Sequence, residues 1–344
     1  MGVFVLLPLL LPLTALPIAR LAERHLHPRV ATRLLSALAA VLAACSTVCL
    51  GLLVVVGTVQ LPGHPLPDAW ADREARTTAP YEETAGKGAV IALLAVAVSW
   101  STAVRRHRRV RREAELALAG VPGGELAVLP DEAAYAYALP GVRSRASRGL
   151  LGWVLSLRTS PVGPGGRIVV STAMLACLDA GERAALVAHE RAHLAGRHHR
   201  YLLAVRFAAR ANPLLMPLRS AVAYTAERWA DEEAARVTGE RRVVARAIGK
   251  AALVSRGTPT PTLAGFAAPG PVPRRVAALL APAPSPVSWP PVFTAVGLAA
   301  WAAAAGTLGS ALSSANATLT LFLVLEPRHQ PARLELLHRQ QEPV

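Results

Sequence analysis

Cysteine is scarce in this chain. Cys45, Cys49 and Cys177 are its full complement, and no Cys-x-x-Cys spacing occurs. A thiolate zinc site therefore has no support, and the three read as small buried residues. Lysine is scarcer: only Lys87 and Lys250 among 37 basic residues. That skew points to a GC-rich bacterial genome, so individual arginines are not read as chosen for bidentate chemistry. Charged residues are only 17% of the chain against 53% hydrophobic, high for a soluble domain. The net charge of +15 comes without a recognised base-reading module. A nucleic-acid partner is therefore disfavoured, although a DNA-binding patch stays open.

The apolar residues are concentrated in runs. Leu34–Val59 is 26 residues without a charge, more than the ~20 a spanning helix needs. Gly2–Ala19 and Gly88–Val104 give 18 and 17 apolar or neutral residues, and a fourth run begins near Val292 and persists to Leu325. The first run has no basic residue ahead of it, the reverse of a secretory leader, and is read as a retained span. Arg20, Arg24, Arg29 and Arg33 lie between spans one and two, an acidic loop follows, and Arg105–Arg112 comes directly after span three. Positive charge inside then puts the N-terminus outside and everything after Arg105 in the cytoplasm, with span four carrying a short tail back out. The basic cluster serves as a topology signal and can touch anionic lipid, the first expected partner. The expected organisation is 1–104 with three spans (about 2–19, 34–59 and 88–104), 105–285 as a cytoplasmic domain, 286–325 as linker end and fourth span, and 326–344 as a polar tail.

His189-Glu190-Arg191-Ala192-His193 matches H-E-x-x-H within the proline-free stretch Ala184–Gly196. On a helix, positions i and i+4 share a face, so both imidazoles reach one metal ion. Glu190 then sits beside the metal, where a general base is needed. A catalytic zinc site takes a third protein ligand and keeps a position for water. Glu227 and Asp231, again i and i+4, lie in a proline-free run from about Leu218 to Val237. Glu227 is the candidate third ligand. Asp231, one turn on, is the candidate partner for a ligand histidine's free N–H. On a continuous helix His198 and His199 fall roughly 180° and 280° around from His189, so they are expected to cap or flank the helix end rather than bind metal.

Taken together, Ile168-Val-Val-Ser-Thr172, Leu178-Asp179-Ala-Gly-Glu182, His189 to His199 and Glu227 to Asp231 resemble membrane-embedded zinc peptidases of the beta-lactam sensor-transducer (penicillinase antirepressor) family. The motifs cover roughly residues 125–280. They belong to the gluzincin class, and they separate this family less well from HtpX-type and CAAX prenyl endopeptidases. The resemblance implies a mainly α, polytopic membrane protein with a zincin-like α+β peptidase domain holding a small sheet and the H-E-x-x-H helix. It implies Zn2+ as cofactor, His189, His193 and Glu227 as ligands, Glu190 as base, and a protein or peptide substrate. In zincins a strand such as Arg167–Thr172 lies at the cleft edge. Ile168, Val169, Val170 and Ser171 are therefore the expected substrate-pairing residues, with a core strand as the plainer reading.

Two segments lie around this core. Val142–Gly166 is longer than a simple hairpin connection and reads either as a membrane-skimming insertion or as an ordered loop. Gly257–Pro291 holds ten prolines and reads as a stiff linker interrupted by a short helix, Arg274–Leu280. The sensor-transducers carry a penicillin-binding domain after their last span. Here fewer than thirty residues remain, and no Ser-x-x-Lys occurs. Direct sensing by this polypeptide is therefore not expected, and a signal would come from a separate sensor protein, the membrane or the acidic outer loop. Two classes stay open: an endopeptidase acting on a cytoplasmic or membrane-proximal protein, such as a transcriptional repressor or a quality-control substrate, and a metal-binding signalling protein without turnover. Glu190 favours the first.

Overall fold

A computed structural model describes residues 8–58, 82–141, 166–255, 272–284, 294–306, 308–309 and 312. The chain is mainly helical with one small sheet. In order the elements are α1 (Ala15–His25), α2 (Pro28–Thr58), α3 (Glu82–Ala117), β1 (Leu126–Leu129), β2 (Ala136–Leu139), β3 (Arg167–Ser171), α4 (Thr172–Ala176), α5 (Ala180–Ala195), α6 (His198–Ala211), α7 (Met216–Thr238), α8 (Arg241–Val254) and α9 (Val272–Leu280). The segment 142–165, where the insertion was expected, lies outside the described residues.

Among the described residues two helices are long and apolar enough to cross a membrane: Pro28–Val54 within α2 and Thr84–Ala117 within α3. The shorter apolar helix Ala295–Gly306 belongs to the fourth apolar run. The described part of the first run is broken. A 3-10 turn at Leu11–Thr14, with Pro12 at its second position, hands over to α1. Ala15, Ile18, Ala19 and Ala22 of α1 are buried.

Around α2 the packing surface mixes leucines, Leu34, Leu35, Leu38 and Leu42, with small residues. Ala31, Ala39 and Ala43 share a cluster with Ala208 and Ala211 of α6 and Ala221 of α7. Small side chains let helix backbones approach closely. Thr32 and Thr225 hydrogen bond at 3.0 Å in the middle of this interface. Trp100 of α3 donates its indole N–H to the Phe207 carbonyl at 3.1 Å, tying α3 to α6.

α3 does not stop where its apolar run ends. It continues through Arg105–Arg112 and packs Ala114 against Tyr135, Tyr137 and Val169 of the sheet region. The basic cluster thus lies on the stretch of helix that joins the apolar segment to the sheet. Arg111 secures the joint, donating to the Pro140 and Gly141 carbonyls at 3.0 and 3.1 Å.

The sheet has the order β1-β3-β2. β3 runs parallel to β1, with Ile168 opposite Leu126, and antiparallel to β2, with Val169 opposite Tyr137. This corrects the expectation for Ile168, Val169, Val170 and Ser171. β3 is the central strand, so both of its backbone edges are already spent, and all four side chains are buried. It cannot accept a further strand. Its role is core, each fully buried aliphatic contributing about 1.5–3 kcal/mol. The edge strand beside α5 is β2.

Candidate metal centre

α5 starts where local chemistry dictates. Asp179 accepts the Glu182 backbone N–H at 2.8 Å, and Glu182 returns a bond to the Asp179 N–H at 3.0 Å. This reciprocal capping box satisfies two of the helix's orphan donors. Lys250 of α8 donates to the same buried Glu182 at 2.6 Å, so the start of the helix is fastened to α8. Three turns on, α5 carries His189, Glu190 and His193.

His189 and His193 stand Nε2 to Nε2 at 3.1 Å. From α7, Glu227 brings Oε2 to 3.5 Å from His189 Nε2 and Oε1 to 3.4 Å from His193 Nε2. Among the described residues these three form a group able to hold a metal ion. Donors at zinc bond lengths of ~2.0–2.1 Å in a tetrahedron stand about 3.3 Å apart. The separation of the two imidazole nitrogens is close to that edge, the Glu227 carboxylate turns one oxygen toward each of them, and the two-nitrogen, one-carboxylate set is that of catalytic zinc sites.

Around these donors lies a supporting ring. His189 Nδ1 is 3.0 Å from Asp231 Oδ1, an ion-pair contact rather than a well-aligned hydrogen bond. Burial alone would lower the His189 pKa, but the Asp231 and Glu227 carboxylates outweigh it and raise it to about 10. His193, without such a carboxylate at its Nδ1, is lowered by burial to about 4. Burial works against ionised Glu227, yet the charge of Arg275 and the two histidines hold it well below the usual carboxylate range. Arg275 grips Asp231 with two hydrogen bonds of 2.8 and 2.6 Å and lies 2.9 Å from Glu227. Burial raises Glu190 to about 7, and the Ala138 backbone N–H of β2 donates to its carboxylate.

Sequence reasoning missed Arg275. The short helix expected at Arg274–Leu280 is present as α9 (Val272–Leu280), but nothing in the sequence placed it on α8 and α7, where it buries this guanidinium. The unused signal was the pair of carboxylates at 227 and 231, which need a cation once buried, beside a short helix carrying two arginines. His198 and His199 do flank the end of α5 and neither joins the metal group, as expected, but not for the angular reason. α5 ends at Ala195, and Gly196–Arg197 turns the chain before α6 begins at His198. Counting around one continuous helix therefore does not apply. His198 is fully buried and reaches back to His193, and His199 lines the cleft beside Glu190 and His193.

That cleft lies between α3, β2, α5 and α6, with His107 and Arg111 of the long helix forming one wall. Residues 160–209 match the model of Peptidase family M48. The match supports a metal-dependent peptidase, typically a zinc enzyme. It takes in β3, α4, α5 and most of α6 and stops before Glu227, so the third donor is supplied by geometry alone. No curated protein and no solved structure matches the chain.

Proposed function

We propose that this protein is a membrane-anchored zinc endopeptidase that cuts a protein substrate close to the membrane surface. The observation that carries the reading is the convergence of the His189, His193 and Glu227 donor atoms with the buried carboxylate of Glu190 beside the first of them. Bound there, zinc would polarise the scissile carbonyl and lower the pKa of a water molecule to about 7. Glu190 accepts the proton of the attacking water and returns it to the leaving amine, a shuttle suited to a carboxyl poised near neutrality. Asp231 orients His189. An extended substrate pairs with the outer edge of β2, where Ala136–Leu139 line the cleft and the Ala138 N–H already holds Glu190.

The continuity of α3 supports a membrane-proximal substrate, because the wall of the cleft is the same helix that carries an apolar span. The arginine distribution supports a cytoplasmic cleft and contact with anionic lipid. A transcriptional repressor as substrate, with a separate sensor protein as trigger, follows from the sensor-transducer resemblance. The alternative is a quality-control peptidase of the HtpX type, which would cut unfolded membrane proteins indiscriminately.

The test uses the full chain purified in detergent. Wild type is expected to hold one zinc per chain and to cleave an unfolded protein such as casein. Glu190→Gln is expected to keep the zinc and lose cleavage. A Gln variant retaining more than a few per cent of activity would remove Glu190 from the mechanism.

A further inference from the structure

His189 and His193 are held in different ways. His189 has the carboxylate of Asp231 at Nδ1. His193 has no carboxylate there. Its Nδ1 faces the Nδ1 of His198 at 2.8 Å, ring to ring at 90°. We propose that His198 is the positioning residue for His193, accepting its Nδ1 proton so that Nε2 is presented to the metal. The inference rests on the metal-centre reading above.

Proton placement follows from the geometry. His193 Nε2 is the nitrogen that converges on His189 and Glu227, so its lone pair is needed there. The ring's proton then sits on Nδ1, and the atom it meets must accept. His198 Nδ1 does so, which leaves the His198 proton on Nε2. That Nε2 is buried without a hydrogen-bond partner. A residue serving only to fill space would carry no such cost, since an apolar side chain would fit a fully buried position better.

The local backbone is shaped for this one ring. A Cβ on Gly196 would stand 2.4 Å from His198 Nε2 and 2.7 Å from its Cδ2, so only glycine lets the imidazole lie that close. Arg197 adopts φ 53°, a left-handed turn uncommon for a residue with a side chain. This turn swings His198 back over α5. Trp229 of α7 packs against the imidazole at 4.4 Å, and Arg29 and Arg33 of α2 stack on that indole at 5.5 and 5.4 Å. The ring is thus fixed from α5, α7 and, through Trp229, α2.

The test measures zinc affinity of the full-length protein by competition with a chromophoric chelator. In His198→Asn the amide oxygen takes the place of Nδ1. In His198→Gln the same amide is displaced by one carbon, and His198→Leu keeps bulk but no acceptor. Asn is expected to bind zinc within about threefold of wild type, and Gln and Leu to bind ~10–100-fold more weakly. Tight binding by Gln or Leu would overturn the proposal. So would an Asn variant weakened as much as Gln, because that pattern means His198 only fills space. If Leu fails to fold, the Asn and Gln pair decides. Wild type that binds no zinc would instead sink the metal-centre reading itself.

Discussion

Arg275 Nη1 lies 2.9 Å from Glu227 Oε2, the same oxygen that stands 3.5 Å from His189 Nε2. One carboxylate oxygen is therefore shared between a buried guanidinium and the proposed metal position. Removing the arginine leaves Glu227 and Asp231 buried with His189 as their remaining cation. Breaking a buried pair in this way typically costs ~3–5 kcal/mol. Arg275→Met is expected to lower the thermal midpoint of the zinc-free protein sharply. Saturating zinc should narrow the gap to wild type, since the metal supplies the missing positive charge. Unchanged midpoints without zinc would show that α9 is not part of the centre.

The acidic residues of α7 should separate by geometry. Glu227→Ala is expected to lose stoichiometric zinc, and Asp231→Ala to keep it at saturating metal with affinity reduced ~10–100-fold. Glu233 pairs with Arg236 on the surface, and Glu233→Ala should behave like wild type. Glu232 is different, because it is held by both Arg228 and Arg241, the latter also donating to the Ala278 and Leu279 carbonyls of α9. Glu232→Ala should therefore keep zinc but melt earlier. Metal analysis after dialysis, with thermal unfolding of each variant, checks the set; zinc lost from Glu232→Ala would mean the ligand is misassigned.

Edge and central strands give opposite expectations. Ala136→Pro removes a backbone N–H from the outer edge of β2 without touching the Ala138 N–H that holds Glu190, and loss of one hydrogen bond of ~1 kcal/mol should lower kcat/KM about five- to tenfold with zinc retained. Val170→Ala on β3 should instead cost about 1–3 kcal/mol of stability and leave KM unchanged. A rise in KM for Val170→Ala alone would restore β3 as the substrate strand.

Acid should loosen the start of α5. Burial opposes ionised Glu182, but the hydrogen bonds from Lys250 and the Asp179 backbone hold its pKa below the ordinary 4.5. A carboxylate depressed in the folded state stabilises above its unfolded value, and that stability is lost as pH falls through the folded pKa. Glu182→Gln should thus melt well below wild type at pH 7, and the difference should shrink below about pH 4.5. A gap that stays constant down to pH 3 would contradict this.

Orientation can be read directly. Reporter fusions at Ala71 and at the C-terminus are expected to report outside and a fusion at Gly123 to report cytoplasm. An extracytoplasmic Gly123 would exclude every cytoplasmic substrate.

Much of the centre could be read from spacing. His189 and His193, and likewise Glu227 and Asp231, share a face because any α-helix repeats every 3.6 residues, and Asp179 with Glu182 marks a helix start by local hydrogen bonding alone. The long apolar runs of α2 and α3 are legible for the same reason: length and composition are properties of a segment taken by itself. What the segments do to one another is not. That β3 is flanked on both sides follows from pairings with strands about thirty and forty residues away, which a run of Ile-Val-Val does not specify. The break at Gly196–Arg197 depends on a left-handed arginine that no local preference predicts, yet it decides that His198 turns back onto His193. Arg275 reaches Asp231 across 44 residues of chain. It does so only because α9 has apolar surface to bury against α8 and α7, and because two carboxylates buried at that interface require a cation beside them.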